Sequence, residues 1–340
     1  MVAVMALALV KLGNPQNMGF CIACFQRDIA GGLGLHRAAV VQYIRPEIIG
    51  LALGAFFTSL FTREYRSLGG SSPFTRFVLG FFVMIGLMIF LGCPLRMLLR
   101  MSAGDLNALV AFFGLIAGVL VGVFFLRKGF SLGRAVPQNK SGGYFFPLLM
   151  VALLILLLAK PAYIFFSTEG PGSMHAPVAI ALAAGLIFGI LAQRTRLCLT
   201  GGIRDFVIFG DFYLLYGFFA ILIVALIGNM ALGNFHLGLQ NQPIAHTDGL
   251  WNFLGMALAG LGSVLLGGCP LRQTVSASEG NADSAITVLG LLAGAAFAHN
   301  FGLAASAKGV TGPGQTAVII GFAVILLVGF LNIKSMQGRS

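Results

Sequence analysis

Apolar runs close to 20 residues long recur from one end of the chain to the other. One of them, ALVAFFGLIAGVLVGVFFL from Ala108 to Leu126, carries no charge at all. A helix of that length crosses a hydrocarbon core of about 30 Å, and in lipid only a helix or a closed barrel pairs every backbone polar group. Ten apolar segments are readable, at roughly 1–12, 46–62, 74–91, 106–126, 144–159, 177–192, 212–232, 250–267, 285–301 and 315–333, the first of them short. An all-α polytopic membrane protein is expected. Of the 340 residues 58% are hydrophobic and only 9% charged, against about 25% charged in a soluble domain.

The formal net charge of +11 rests on few residues, because only ten are acidic. Lys and Arg flanking the apolar segments account for most of it. No extramembrane segment is large enough to fold around nucleic acid, so the lipid bilayer is the expected surroundings and nucleic acid is not an expected partner. The excess is compatible with an anionic substrate. The stretch Val2 to Val10 has no basic residue before it and no A-x-A site after it, so no cleavable signal is expected. Residues 1–12 rise only about 18 Å as a helix. That segment must tilt and be capped by neighbours, or start upstream. The five cysteines, Cys21, Cys24, Cys93, Cys198 and Cys269, do not suit a disulfide framework in this setting. No second CxxC follows CIAC to complete a metal site, and no Walker A sequence is present, so no metal or other cofactor is expected.

The sequence LGCPLRMLL at Leu91 returns as GGCPLRQTV at Gly267, with Cys93 and Cys269 separated by 176 residues. Cys21, Arg27 and Asp28 return 177 residues later as Cys198, Arg204 and Asp205, so CIACFQRD matches CLTGGIRD. Cys24 has no counterpart; Gly201 stands there. The apolar segments follow nearly the same shift, five to each half. An odd number of spans sends the second half in from the opposite side, which predicts two inverted repeats of about five helices each. Residues 1–126 form the first half-repeat, 127–143 a basic linker, and 144–340 the last helix of the first repeat plus the second half-repeat, all within one membrane domain. Counting on alternate sides, thirteen of the 21 Lys and Arg residues fall on the linker's side and eight on the other. The positive-inside rule places the linker and both termini in the cytoplasm.

Four stretches, 19–35, 92–101, 197–209 and 268–280, are too short or too glycine-rich to span. Non-helical backbone at membrane depth is tolerated only inside protein or beside a wet cavity. These stretches are expected to be re-entrant and to meet near the membrane centre. Proline is favoured at the first position of a helix, and the residue before it is pushed to extended geometry. Cys93 and Cys269 are therefore expected as helix N-caps, facing unpaired N–H groups that favour a thiolate or a bound anion. Arg96 and Arg272 follow one turn later on the same face, and Gly92 and Gly268 permit a close approach. Intramembrane arginines are costly and mark function by default. The expected substrate pathway comprises Cys21, Cys24, Cys93, Cys198, Cys269, Arg27, Arg96, Arg204 and Arg272. Asp28 and Asp205 are expected to neutralise and orient arginines. His36, His175, His236, His246 and His299 lack repeat symmetry and are expected as loop or core residues.

GFCIACFQRDIAG, TRLCLTGGIRD and the two GCPLR stretches resemble the YeeE/YedE sulfur-transport family of bacterial membrane proteins, over about residues 10 to 335. With GFCIACFQRDIAG, the tail GCPLRQTVSASEGNADSA looks like the YedE branch, described as selenium transporters. The resemblance implies inner-membrane uptake of a small sulfur or selenium anion, thiosulfate being the family's best-known substrate. It implies successive substrate contacts at Cys21, Cys93, Cys198 and Cys269, while Cys24 belongs to the first-half motif. The short first helix departs from the family pattern. A soft anion suits thiols and arginines, and weak sites in series let it leave. A second reading is a sulfur- or selenium-transferase with Cys21 and Cys24 as persulfide carriers. Such a carrier needs one exposed nucleophile rather than a mirrored set, so the repeat favours transport without catalytic residues. A third is a membrane dock for a soluble sulfur-carrier protein on the cytoplasmic side, with the basic linker as its landing place.

Overall fold

The computed structural model describes residues 1–333. Its helices are α1 (Val2–Lys11), α2 (Ile22–Gly32), α3 (Pro46–Phe61), α4 (Pro73–Phe90), α5 (Pro94–Ser102), α6 (Leu106–Arg127) and α7 (Lys140–Ala159), then α8 (Val178–Thr195), α9 (Leu199–Phe209), α10 (Tyr213–Ala231), α11 (Gly249–Leu265), α12 (Pro270–Ser278), α13 (Ala282–Asn300) and α14 (Gly312–Leu331). Two short strands, β1 (Leu68–Gly69) and β2 (Val136–Pro137), pair antiparallel. Nine helical stretches among the described residues are long and apolar enough to cross a membrane. The chain is a polytopic helical membrane protein. The ten apolar segments of the sequence correspond to α1, α3, α4, α6, α7, α8, α10, α11, α13 and α14, and the four cysteine stretches to α2, α5, α9 and α12. α1 is only ten residues long. It lies against α8 and α10 and buries Ala3, Ala6 and Leu9.

Local chemistry sets the helix limits. Pro73, Pro94 and Pro270 open α4, α5 and α12, where a missing N–H costs nothing. Asp105 and Asn281, 176 residues apart, cap α6 and α13 by accepting from Asn107 N and Ser284 N. Leu91 and Gly267, at the same interval, take φ values of +63° and +84° and break the chain between a long helix and the short one after it.

Packing follows the repeat. α6 lies on α11, and α13 lies on α4. At the first contact Gly114 and Gly118 meet the carbonyls of Phe253 and Ala257; at the second, Gly290 and Gly294 meet those of Phe77 and Phe81. Each of these eight residues has its repeat partner among the other seven, at a shift of 176. A Cβ at Gly118 or Gly294 would collide with a backbone oxygen, so close helix approach requires glycine there.

The loops collect on two faces. On one, β1 and β2 join the segment 62–72 to the linker, Asp283 accepts from Gly70 N and Ser71 N, and Ser131 N donates to Asn332 O. Met1 lies beside Thr195 and Leu197 on that same face. The linker is thus tied into the structure by strand pairing. On the opposite face, Phe165 N donates to Gly32 O, Gly172 N to Val40 O, and Asn300 Nδ2 to Leu35 O.

Candidate functional site

Each of the four short helices begins at a cysteine. Cys21 and Cys198 cap α2 and α9, and their Sγ atoms accept from Cys24 N at 3.3 Å and Gly201 N at 3.2 Å. Cys93 and Cys269 cap α5 and α12 in extended geometry, held there by the following proline, with side chains free of the cap. From these starts α2 and α5 run toward the opposite face, where Gly32 meets Phe165 and Ala103 O accepts from His236 N. α9 and α12 run toward the linker face, where Val207 O accepts from Arg127 and Glu279 O from Arg66 N. The four N-terminal ends face one another in the interior, and each brings unpaired N–H groups and the positive end of its dipole.

The cysteines are free thiols and all are buried. Cys21 and Cys93 are side-chain neighbours. Cys198 Sγ accepts from Cys269 N at 3.4 Å, which makes a second pair. The structure thus brings together, within each half, two cysteines that are about 70 residues apart in sequence.

Arg96 fills the space beside the first pair. It is 0% exposed. Its Nη1 donates to Cys24 Sγ at 3.5 Å and to Leu91 O, and its Nη2 to Ile244 O at 3.2 Å. Its Nε has no hydrogen-bond partner, and no carboxylate pairs with it among the described residues. The left-handed Leu91 aims its carbonyl at both Arg96 and the Cys24 thiol, which explains an uncommon backbone conformation at this point. Cys24, without a repeat counterpart, is placed by these contacts. The close approach permitted by Gly92 is that of the Arg96 side chain folding back over its own helix start; Gly268 does the same for Arg272.

Arg27 and Arg204 differ in setting. Arg27 donates to Asp28 Oδ1 from Nε and Nη2, at 2.9 and 2.6 Å, while Arg45 Nε donates to Asp28 Oδ2 at 2.7 Å. Asp28 therefore bridges two buried guanidinium groups. Arg45 is also bound by the carbonyls of Pro171 and Met174. In the second half Arg204 Nε meets Asp205 Oδ1 at 2.8 Å, both half-buried and without a further arginine among the described residues.

Arg272 borders a polar cleft of about 440 Å³ that opens on the linker face and is lined by Arg63, Glu64, Arg66, Arg196 and Glu279 among others. Its Nη2 donates to Glu279 Oε2 at 2.9 Å, and its Nη1 is buried without a partner among the described residues. Sequence reasoning missed Glu279, Arg45, Arg196 and the buried Arg100–Asp105 pair at 2.7 Å. A carboxylate seven residues after Arg272, two turns along one short helix, is the signal that was available for Glu279. His36 and His246 each donate from Nε2 to a carbonyl, of Arg27 and Ile89, and accept at Nδ1 from a backbone N–H two residues on. Burial lowers the pKa of both, and both are structural clasps.

Residues 194–336 match the family model described as Sulphur transport. A stretch of 107 residues is 33% identical to the thiosulfate transporter TsuA of Escherichia coli (strain K12), covering 32% of this chain and 30% of that protein. A stretch of 99 residues is 33% identical to the thiosulfate transporter TsuA of Spirochaeta thermophila, covering 29% of each. The chain thus matches about 30% of the length of these curated relatives.

Proposed function

We propose that this chain belongs to the YeeE/YedE sulphur-transport family and carries a small sulfur-containing anion across the bacterial inner membrane, with thiosulfate as the first substrate to test. The observation that carries the reading is Arg96, a buried cation against a thiol and without a carboxylate partner among the described residues. Such a charge costs several kcal/mol in a low-dielectric interior unless an anion balances it. The surrounding thiols suit a soft, polarizable anion. Four helix N-termini around the same point add donors that favour negative charge.

The two halves are read as inverted copies about an axis in the membrane plane. The short helices leading to opposite faces, and the reciprocal packing of α6 on α11 and α13 on α4, support that arrangement. Cys21, Cys24 and Cys93 with Arg96 then meet the anion from the opposite face, which is periplasmic in this reading. Cys198 and Cys269 with Arg272 pass it to the linker face, which is cytoplasmic. Arg27, Asp28 and Arg45 hold α2 in place behind the thiols, with Arg204 and Asp205 as the looser counterpart. A soluble sulfur carrier would receive the anion at the cleft. A selenium anion of similar charge and softness fits the same thiols.

The test is uptake of labelled thiosulfate by proteoliposomes, with hydrosulfide, selenite, selenide and sulfate as competitors. Competition by the soft anions and not by sulfate is the expected outcome. Absence of thiosulfate uptake above protein-free liposomes, with none of the competitors transported when offered alone, overturns the reading.

A further inference from the structure

We infer that Glu279 is a tethered competitor for the transported anion, set at the linker-face mouth to eject it from Arg272. The inference rests on the transport reading above. Arg272 offers two terminal nitrogens. Nη2 is taken by Glu279 Oε2 at 2.9 Å, and Nη1 is buried, unpartnered among the described residues and beside the cleft. An anion arriving from Cys269 finds one vacant donor and one held by a carboxylate.

That carboxylate has somewhere else to go. Glu279 Oε1 already reaches Arg196 Nη1 at 3.4 Å, and Arg196 is half exposed and anchored to Glu64 Oε2 at 2.8 Å. Glu279 can shift its weight from Arg272 to Arg196 and back without losing a positive partner. It sits at the C-cap of α12, where the negative end of the helix dipole disfavours an acid. Its two arginines hold it there, and the helix does not.

The arrangement exists on one side only. At the repeat-related positions the residue matching Glu279 is Ala103 and the residue matching Arg196 is Gly19. Arg96, the counterpart of Arg272, donates to carbonyls and a thiol instead of to a carboxylate. Neutral acceptors leave its charge available to an anion, whereas Glu279 spends the charge of Arg272. The inner site of each half is thus made unequal: strong capture at Arg96, weak retention at Arg272. This inequality speeds release at the linker face, because the last site must let go of what the first one holds, while the gradient sets the net direction.

The experiment uses the full chain in proteoliposomes and compares two substitutions that move the competition in opposite directions. Glu279→Gln removes the competing charge, so KM for thiosulfate falls and the maximal rate falls with it as release slows, each by about five- to tenfold. Arg196→Gln leaves Glu279 with Arg272 alone, so the competitor strengthens and KM rises. Glu279→Asp, which keeps the charge, stays on the wild-type side of Glu279→Gln, and it carries the comparison with Arg196→Gln if the glutamine variant fails to reach the membrane. A purely architectural ion pair would move KM the same way in both variants, or in neither; that result overturns the inference while wild-type uptake leaves the transport reading intact. A wild-type protein that takes up no thiosulfate overturns both.

Discussion

A thiol beside a passing sulfur anion has two chemistries open to it. It can donate a hydrogen bond, or as a thiolate it can attack the outer sulfur of thiosulfate and displace sulfite, leaving a persulfide on the protein. Cys93 and Cys269 separate the two, because their side chains are free of the capping bonds that occupy Cys21 and Cys198. Replacing either by alanine is expected to lower uptake more than about tenfold, as for other lost transition-state contacts, with the protein still folded in the membrane. Replacement by serine is expected to retain part of the rate, since a hydroxyl still donates but cannot form a persulfide. Serine as inactive as alanine, with a persulfide mass on the wild-type cysteine after exposure to substrate, would establish the covalent route instead. The positions of these residues were legible in the sequence, because proline and repetition announce them. The surroundings of Arg96 were not. Leu91, Ile244 and Cys24 come from three separate parts of the chain, and no pattern in one sequence ties a carbonyl to a guanidinium.

At the scale of helices, the long spans were readable because lipid leaves the backbone so few choices. Two of the short helices, α5 and α12, were readable because Cys-Pro fixes where each begins; α2 and α9 show in the sequence only through their matched Cys and Arg-Asp. Less legible was which long helix meets which. Gly114, Gly118, Gly290 and Gly294 sit among 47 glycines, and only the fold distinguishes them as the points where α6 meets α11 and α13 meets α4. Gly118→Val is expected to force those two backbones apart at a cost of about 1–3 kcal/mol, read as a lower melting temperature in detergent. Gly294→Val should cost a similar amount, because its contact with Phe81 repeats that of Gly118 with Ala257. Valine at Gly142, which has no neighbour in reach of a Cβ, serves as the control and should leave the melting temperature unchanged. Equal melting of all three variants would refute this account of the packing. The ion pairs Asp28–Arg45 and Arg272–Glu279 mark the limit of sequence reading at this scale. The first joins residues 17 apart across a loop, and the second was hidden in a motif read for its cysteine.

Across the whole molecule, Met1, the linker and the end of α14 share one face. Tags placed in the linker and after Ser340 should therefore be protected from an external protease in intact cells and cleaved only once the inner membrane is opened. Cleavage of the linker tag in intact cells would turn the molecule over and exchange the roles of Arg96 and Arg272. The convergence of four helix N-termini on the interior, with a buried guanidinium among them, carries an electrical consequence. A site of fixed positive potential repels hydronium and metal cations as strongly as it welcomes an anion. An inward-moving anion climbs a negative-inside voltage at about 2.3 kcal/mol per charge for each 100 mV, and the same positive centre lowers that hill where it is steepest. Leakage of free cations along the path that the anion takes is thereby opposed.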